Sequence, residues 1–179
     1  VHPGETILIE GGVPHAIGAG CFLAEIQEPT DYTIRVERTT PSGFAVADEM
    51  CHQGLGFNQM FECFHYQGFS RDAARKKWFL PRRPFPGEQT GDSAQLVGYE
   101  DTPFFAMREL RTDGELKVKN ERFSGLYVLE GAGTLECKGG ILQLNAPGQY
   151  FVPAGTSDFV LRAAPAGQLR VLQCFGPRD

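Results

Sequence analysis

Short runs of apolar residues recur along the chain, separated by glycine and proline. Ile7-Leu8-Ile9 leads into Gly11-Gly12, and Cys21-Phe22-Leu23-Ala24 leads into Glu25-Ile26-Gln27. With a turn between them, these runs predict strands over 5–9 and 21–27. The alternation of Tyr32-Thr33-Ile34-Arg35-Val36-Glu37 predicts a third strand over 32–37. The period then changes. Asp48-Glu49 opens a short helix through His52, and apolar residues stand near helical spacing over 55–64. Ser70 followed by Asp72 reads as the cap of a helix over 71–80. Pro81, Pro84 and Pro86 end it and make an extended connector. The β pattern returns near residue 94. It predicts strands over 94–99, 103–110, 115–119, 125–130, 133–138, 141–144, 149–152, 158–162 and 169–175. Short strands at this density predict a mainly β chain, a sandwich or jelly roll, with a small helical insert.

Composition narrows the function classes. The 179 residues suffice for one or two domains. The net charge of −5 comes with no basic block, so nucleic acid is not the expected partner. No apolar run approaches the roughly 18–20 residues of a membrane helix, so no membrane partner is expected. The 5 cysteines are scattered, odd in number and without a CxxC pair. That usage points to reduced thiols in the cytoplasm and away from a disulfide framework.

Candidate chemistry centres on His15, between Pro14 and the small residue Ala16, just after the Gly11-Gly12 turn. A neutral imidazole there can bind a divalent metal through one ring nitrogen. A zinc site needs three or four ligands, and spacing alone offers one, so a packed or solvated turn histidine fits the same residues. His2, His52 and His65 have no second ligand at metal-binding spacing and read as structural.

The stretch from Gly4 through Gly12 to His15 resembles the PxGxxH motif of cupin barrels, with Glu10 where that motif usually has Pro. His15-Ala16-Ile17-Gly18, then Glu25-Ile26-Gln27, then Thr30-Asp31-Tyr32-Thr33-Ile34-Arg35 together resemble the type I mannose-6-phosphate isomerases. The resemblance implies that His15 is a Zn2+ ligand and that Arg35 lies in the active site and assists catalysis. It implies further ligands, a Gln, a His and a Glu, upstream of the motif, where the residues before His15 leave no room for them. The chain is therefore expected to be the C-terminal part of a longer enzyme and to be inactive alone. Residues 1–40 would be the C-terminal half of a first, metal-site barrel. Residues 41–94 would be a helical insert and connector, and 95–179 a second cupin-like barrel without metal ligands. The implied substrate is a small sugar phosphate, and exposed strand edges of an incomplete barrel would favour self-association.

Alternatives remain at each position. Arg35 also fits an ordinary strand arginine paired with Glu37 or Glu25. Asp31 fits either a carboxylate that orients Arg35 or a loop residue bonding its own backbone. Glu25 fits a barrel-facing or a solvent-facing position. The cluster Arg71, Arg75, Lys76, Lys77, Arg82 and Arg83 fits a phosphate-attracting patch or a solvated helix face. There is also an internal repeat. Gly148–Asp158 holds a second PxGxx turn, and aligning Gly12 on Gly155 sets His15 against Asp158. Asn120 and Arg122 then fall where a metal barrel has its His-x-His. Asp158 reads as a turn residue. A non-catalytic cupin that binds a sugar, or serves as an interaction domain, is the alternative to the isomerase.

Overall fold

The computed structural model describes residues 1–28, 30, 32–85 and 93–178. In chain order the elements are β1 (Thr6–Ile7), α1 (Asp48–His52), α2 (Phe57–Glu62), α3 (Arg71–Trp78), β2 (Phe79–Leu80) and β3 (Arg83–Pro84). There follow β4 (Ser93–Val97), β5 (Ala106–Thr112), β6 (Glu115–Val118), β7 (Ser124–Glu130) and β8 (Ala132–Cys137). Last come β9 (Gly140–Asn145), β10 (Gly148–Val152), β11 (Phe159–Ala163) and β12 (Leu169–Phe175). The chain forms two compact units, Val1–Leu8 with Phe79–Asp179, and Ile9–Trp78.

The first unit is built on two antiparallel sheets. The 6-stranded sheet has the order β10-β7-β12-β5-β4-β3, and the 4-stranded sheet the order β6-β11-β8-β9. Each strand expected from residue 94 onward is present. The reason is the period-two pattern. In β7 the inward positions are Ser124, Leu126 and Val128, all buried, while Tyr127 points out. Leu110, Leu116, Leu135, Leu144, Phe159, Leu161 and Val171 complete a core contributed by both sheets. Pro84 lies in β3, at the sheet edge, where a missing N–H leaves no ladder bond unmade. Pro86 of the expected connector lies outside the described residues.

One row of the core is polar. Arg108, Ser124 and Gln173 share the inward side with Leu110, Leu126 and Val171, and all three are buried. Arg108 Nε donates to Gln173 Oε1 at 2.7 Å, and Gln173 Nε2 donates to Ser124 Oγ at 2.7 Å. The guanidinium also donates to Lys119 O at 3.1 Å and stacks over the Phe85 ring, 4.4 Å from its centroid. A buried charge needs such partners. Replacing Gln173 by Leu strips two of these bonds, so an expected loss of about 2–4 kcal/mol should appear in urea unfolding.

The strands expected over 21–27 and 32–37 do not form, and the one over 5–9 contracts to β1, paired with β2. Alternation alone does not make a strand; a neighbour must take up its N–H and C=O groups. Among the described residues no strand lies beside these segments, and Phe22, Tyr32 and Val36 stay exposed.

Burial also sorts the thiols. Cys21 and Cys63 are exposed and Cys51 is buried, while burial pushes the Cys174 thiol up to about 11. With iodoacetamide at pH 8, Cys21 and Cys63 should label first and Cys174 far more slowly, as peptide mass spectrometry would show. No helix of the described residues is long and apolar enough to cross a membrane.

Candidate functional site

The three helices expected within Ile9–Trp78 are present, but the one expected over 71–80 ends at Trp78, because the backbone of Phe79–Leu80 pairs with β1 as β2. Ser70 caps α3, accepting a bond from Ala73 N at 3.3 Å. Cys51 and Met60 are the fully buried apolar residues here, so this unit rests on a thin core. Backbone bonds and turns therefore position its side chains.

The His15 loop begins with a turn. Val13 N donates to Glu10 O at 3.3 Å, and Gly12, third in the turn, has φ +81°. Only glycine takes that conformation without strain. Gly12 is also pinned: His65 N donates to its carbonyl at 2.8 Å. A Cβ on Gly12 would lie 2.9 Å from Cys63 O and 3.1 Å from the His65 ring. Gly12→Ala should therefore destabilise this unit by about 1–2 kcal/mol, measured by thermal unfolding.

The loop orients the imidazole. His15 Nδ1 lies 2.9 Å from Val13 O. A carbonyl oxygen only accepts, so Nδ1 carries a proton, and in the neutral form of the ring Nε2 then keeps the lone pair. That is the tautomer a metal ligand requires, with the second ring nitrogen fixed by a backbone carbonyl. His15 is exposed.

Arg35 is exposed too. Its backbone N donates to Cys51 O at 3.0 Å, and Nη1 donates to Thr33 O at 3.3 Å and Met50 O at 3.2 Å. Met50 O of α1 and the nearby Thr33 O thus hold the guanidinium through Nη1. Among the described residues no carboxylate pairs with it, neither Glu25 nor Glu37. Asp31 lies outside the described residues. Glu25 is exposed.

The described residues hold no group of three or more His, Cys, Asp and Glu side chains able to bind a metal. Zinc needs three or four donors, and the described residues bring no such set together around His15. These residues alone do not fit the ion.

Three members of the basic cluster face carboxylates. Lys77 Nζ lies 3.4 Å from Glu10 Oε2. Arg82 pairs with Glu109 at 2.9 Å, and Arg83 pairs with Asp101 and, at 3.2 Å, with Glu100. Arg82 and Arg83 therefore face carboxylates.

The sequence reading missed the partners of Glu10. Its Oε2 accepts from Trp78 Nε1 at 3.1 Å as well as facing Lys77. The indole bond is the largest influence holding the Glu10 carboxyl below its usual range. The available signal was Glu10 itself, a carboxylate where the motif usually has Pro.

The repeated turn is visible. Thr156 N donates to Pro153 O at 3.0 Å, matching the Val13 N to Glu10 O bond under the Gly12–Gly155 alignment. Positions 120 and 158 also meet: Asn120 N donates to Asp158 Oδ1 at 3.2 Å, and Asn120 Nδ2 donates to Thr156 O at 2.7 Å. Arg122 is drawn elsewhere, to Tyr99 Oη and Pro177 O, each at 2.7 Å.

No protein-family model matches the chain, and no curated protein matches it in sequence. Solved structures do. The chain resembles the mannose 6-phosphate isomerase from Bacillus subtilis over 78% of its length, at 15% identity and a TM-score of 0.51. It spans 38% of that protein. It also matches the polyketide cyclase RemF from Streptomyces resistomycificus, at 15% identity over 63% of this chain and 80% of that one, TM-score 0.43. A cupin superfamily protein from Desulfitobacterium hafniense matches at 13% identity over 48% of this chain and 76% of that one, TM-score 0.39. At these identities the likeness concerns fold. Two antiparallel sheets that share one core, a repeated PxGxx-type turn and the likeness to the Bacillus subtilis structure make the chain a mainly β protein of the jelly-roll fold.

Proposed function

We propose that this chain is the C-terminal part of a zinc-dependent sugar-phosphate isomerase that interconverts mannose 6-phosphate and fructose 6-phosphate in the cytoplasm. The observation that carries the reading is His15. It stands in the isomerase-like run from Gly4 to Arg35, with Nδ1 committed to Val13 O and Nε2 left to bind. On this reading the remaining zinc donors belong to other parts of the full-length gene product.

The reaction moves a proton between C2 and C1 through a cis-enediol. Negative charge grows on the oxygens as that proton leaves. Arg35 answers this need with a permanent charge, already held by Thr33 O and Met50 O and unpaired with any described carboxylate. Its orientation is set before substrate arrives, so little is spent turning it during reaction.

The test is turnover in D2O. The full-length gene product, given mannose 6-phosphate, should yield fructose 6-phosphate with deuterium entering the carbon chain, seen by proton NMR. The 179-residue chain should give none, with or without added zinc. No turnover by the full-length product with zinc present would favour the non-catalytic cupin instead.

A further inference from the structure

A second site is built beside the His15 loop, and it does not depend on the isomerase reading. A cleft of about 240 Å³ opens within Ile9–Trp78, with Val13, His65, Gln67, Phe69, Lys77 and Trp78 on its walls. That volume equals roughly eight waters at about 30 Å³ each. His15 and Arg35 are not among its lining residues.

One wall is aromatic. Phe69 and Trp78 meet edge to face, with centroids 5.1 Å apart and planes at 72°. Lys77 Nζ lies 5.1 Å from the Phe69 centroid and 5.4 Å from that of Trp78. Its charge is balanced, because the Glu10 carboxylate stands 3.4 Å away. The same carboxylate oxygen takes the indole N–H at 3.1 Å, which fixes the Trp78 ring. The cleft thus presents a fixed aromatic wall, a compensated ammonium, and the polar groups of Gln67 and His65.

That combination selects a ligand chemistry. An anion would meet Lys77 already neutralised and Glu10 repelling it. A purely apolar ligand would cover Gln67 and His65 without bonding them, at a cost in desolvation. A neutral pyranose satisfies both walls: its C–H face lies on aromatic carbon, and its hydroxyl rim both donates and accepts. We propose that this cleft binds a neutral hexopyranose, with Trp78 and Phe69 as the stacking wall, Gln67 and His65 as hydrogen-bonding partners, and Glu10 as the residue that positions Trp78 and Lys77.

The chain has 1 tryptophan, so emission from Trp78 reports this cleft alone. Titrating the chain with D-mannose should change that emission saturably, with a midpoint in the millimolar range. Phe69→Ala should raise the midpoint about three- to tenfold. Gln67→Ala, at an exposed position, should raise it as well without disturbing the far-ultraviolet dichroism. His15→Ala and Arg35→Ala should leave it unchanged. A response that never saturates, or one unaltered in both wall variants, would overturn the proposal. So would its loss in the His15 or Arg35 variant, which would make the cleft part of the isomerase site. Failure of the isomerase reading would leave the mannose titration intact.

Discussion

Replacing Arg35 by Ala in the full-length gene product should lower kcat for mannose 6-phosphate by about 10²–10³-fold, the usual cost of removing one fixed donor from a developing oxyanion. KM should move far less, because the interaction strengthens only as charge appears on the enediolate. Zinc content should stay at the wild-type value, since an arginine donates no lone pair to a metal. Arg35→Lys should recover only part of the loss. The planar guanidinium has further N–H groups beyond the Nη1 that Thr33 O and Met50 O hold, and a shorter point-charge ammonium lacks that planar fork. A kcat within twofold of wild type would remove Arg35 from the chemistry and return it to the ordinary strand-type arginine that its sequence also allows.

A large stability effect belongs to Glu109, on the outer face of the six-stranded sheet. Its side chain is 4% exposed, yet three arginines converge on it. Arg170 Nε lies at 2.6 Å, Arg82 Nη2 at 2.9 Å and Arg111 Nη2 at 3.0 Å. Burial alone would raise its pKa. The hydrogen bonds and charges of Arg170 and Arg111 outweigh that, and the carboxyl is held below its usual range. Glu109→Ala should cost roughly 3 kcal/mol, the low end for breaking a buried pair, because Arg82 and Arg111 remain partly exposed and rehydrate. For a chain of this length that is a fall in Tm of roughly 6–12 °C. The sign with pH follows from the depressed pKa. The folded state binds this proton less readily than the unfolded one. The contribution is therefore fully present above the unfolded carboxyl value, about 4.3. It disappears as pH falls through the lower folded value. The gap between wild type and Glu109→Gln should be constant at neutral pH and close in acid. A gap independent of pH would show that packing, and not the ion pairs, accounts for the loss.

The barrel strands were readable from alternation because each inward apolar residue finds a core made by two sheets. Leu126 and Val128 of β7 and Leu169 and Val171 of β12 are such cases. Ser70 was readable as a cap because its bond is local. What depends on distant partners was not readable. Phe22, Leu23 and Val36 sit in strand-like sequence, but a strand also needs a neighbouring ladder, and no local signal announces one. Arg108 and Gln173 look like outward residues by type. Their inward position is satisfied by partners distant in sequence, each other, Ser124 and Lys119 O among them. At the candidate site, His15 and Arg35 were legible through a motif, and the orientation of the His15 ring was not. It depends on a carbonyl two residues back, in a turn that Gly12 allows. Glu10 was visible as a departure from the motif. Its partners lie 67 and 68 residues further on in sequence, across three helices, and only the folded chain brings them together.

Zinc stoichiometry of the purified full-length gene product, compared with its His15→Ala variant, bears most directly on the account. The prediction is about one zinc per chain in the wild type and loss of bound zinc in the variant, with circular dichroism unchanged. Equal zinc in both proteins would contradict it, since the imidazole held by Val13 O would then have no part in the metal cage.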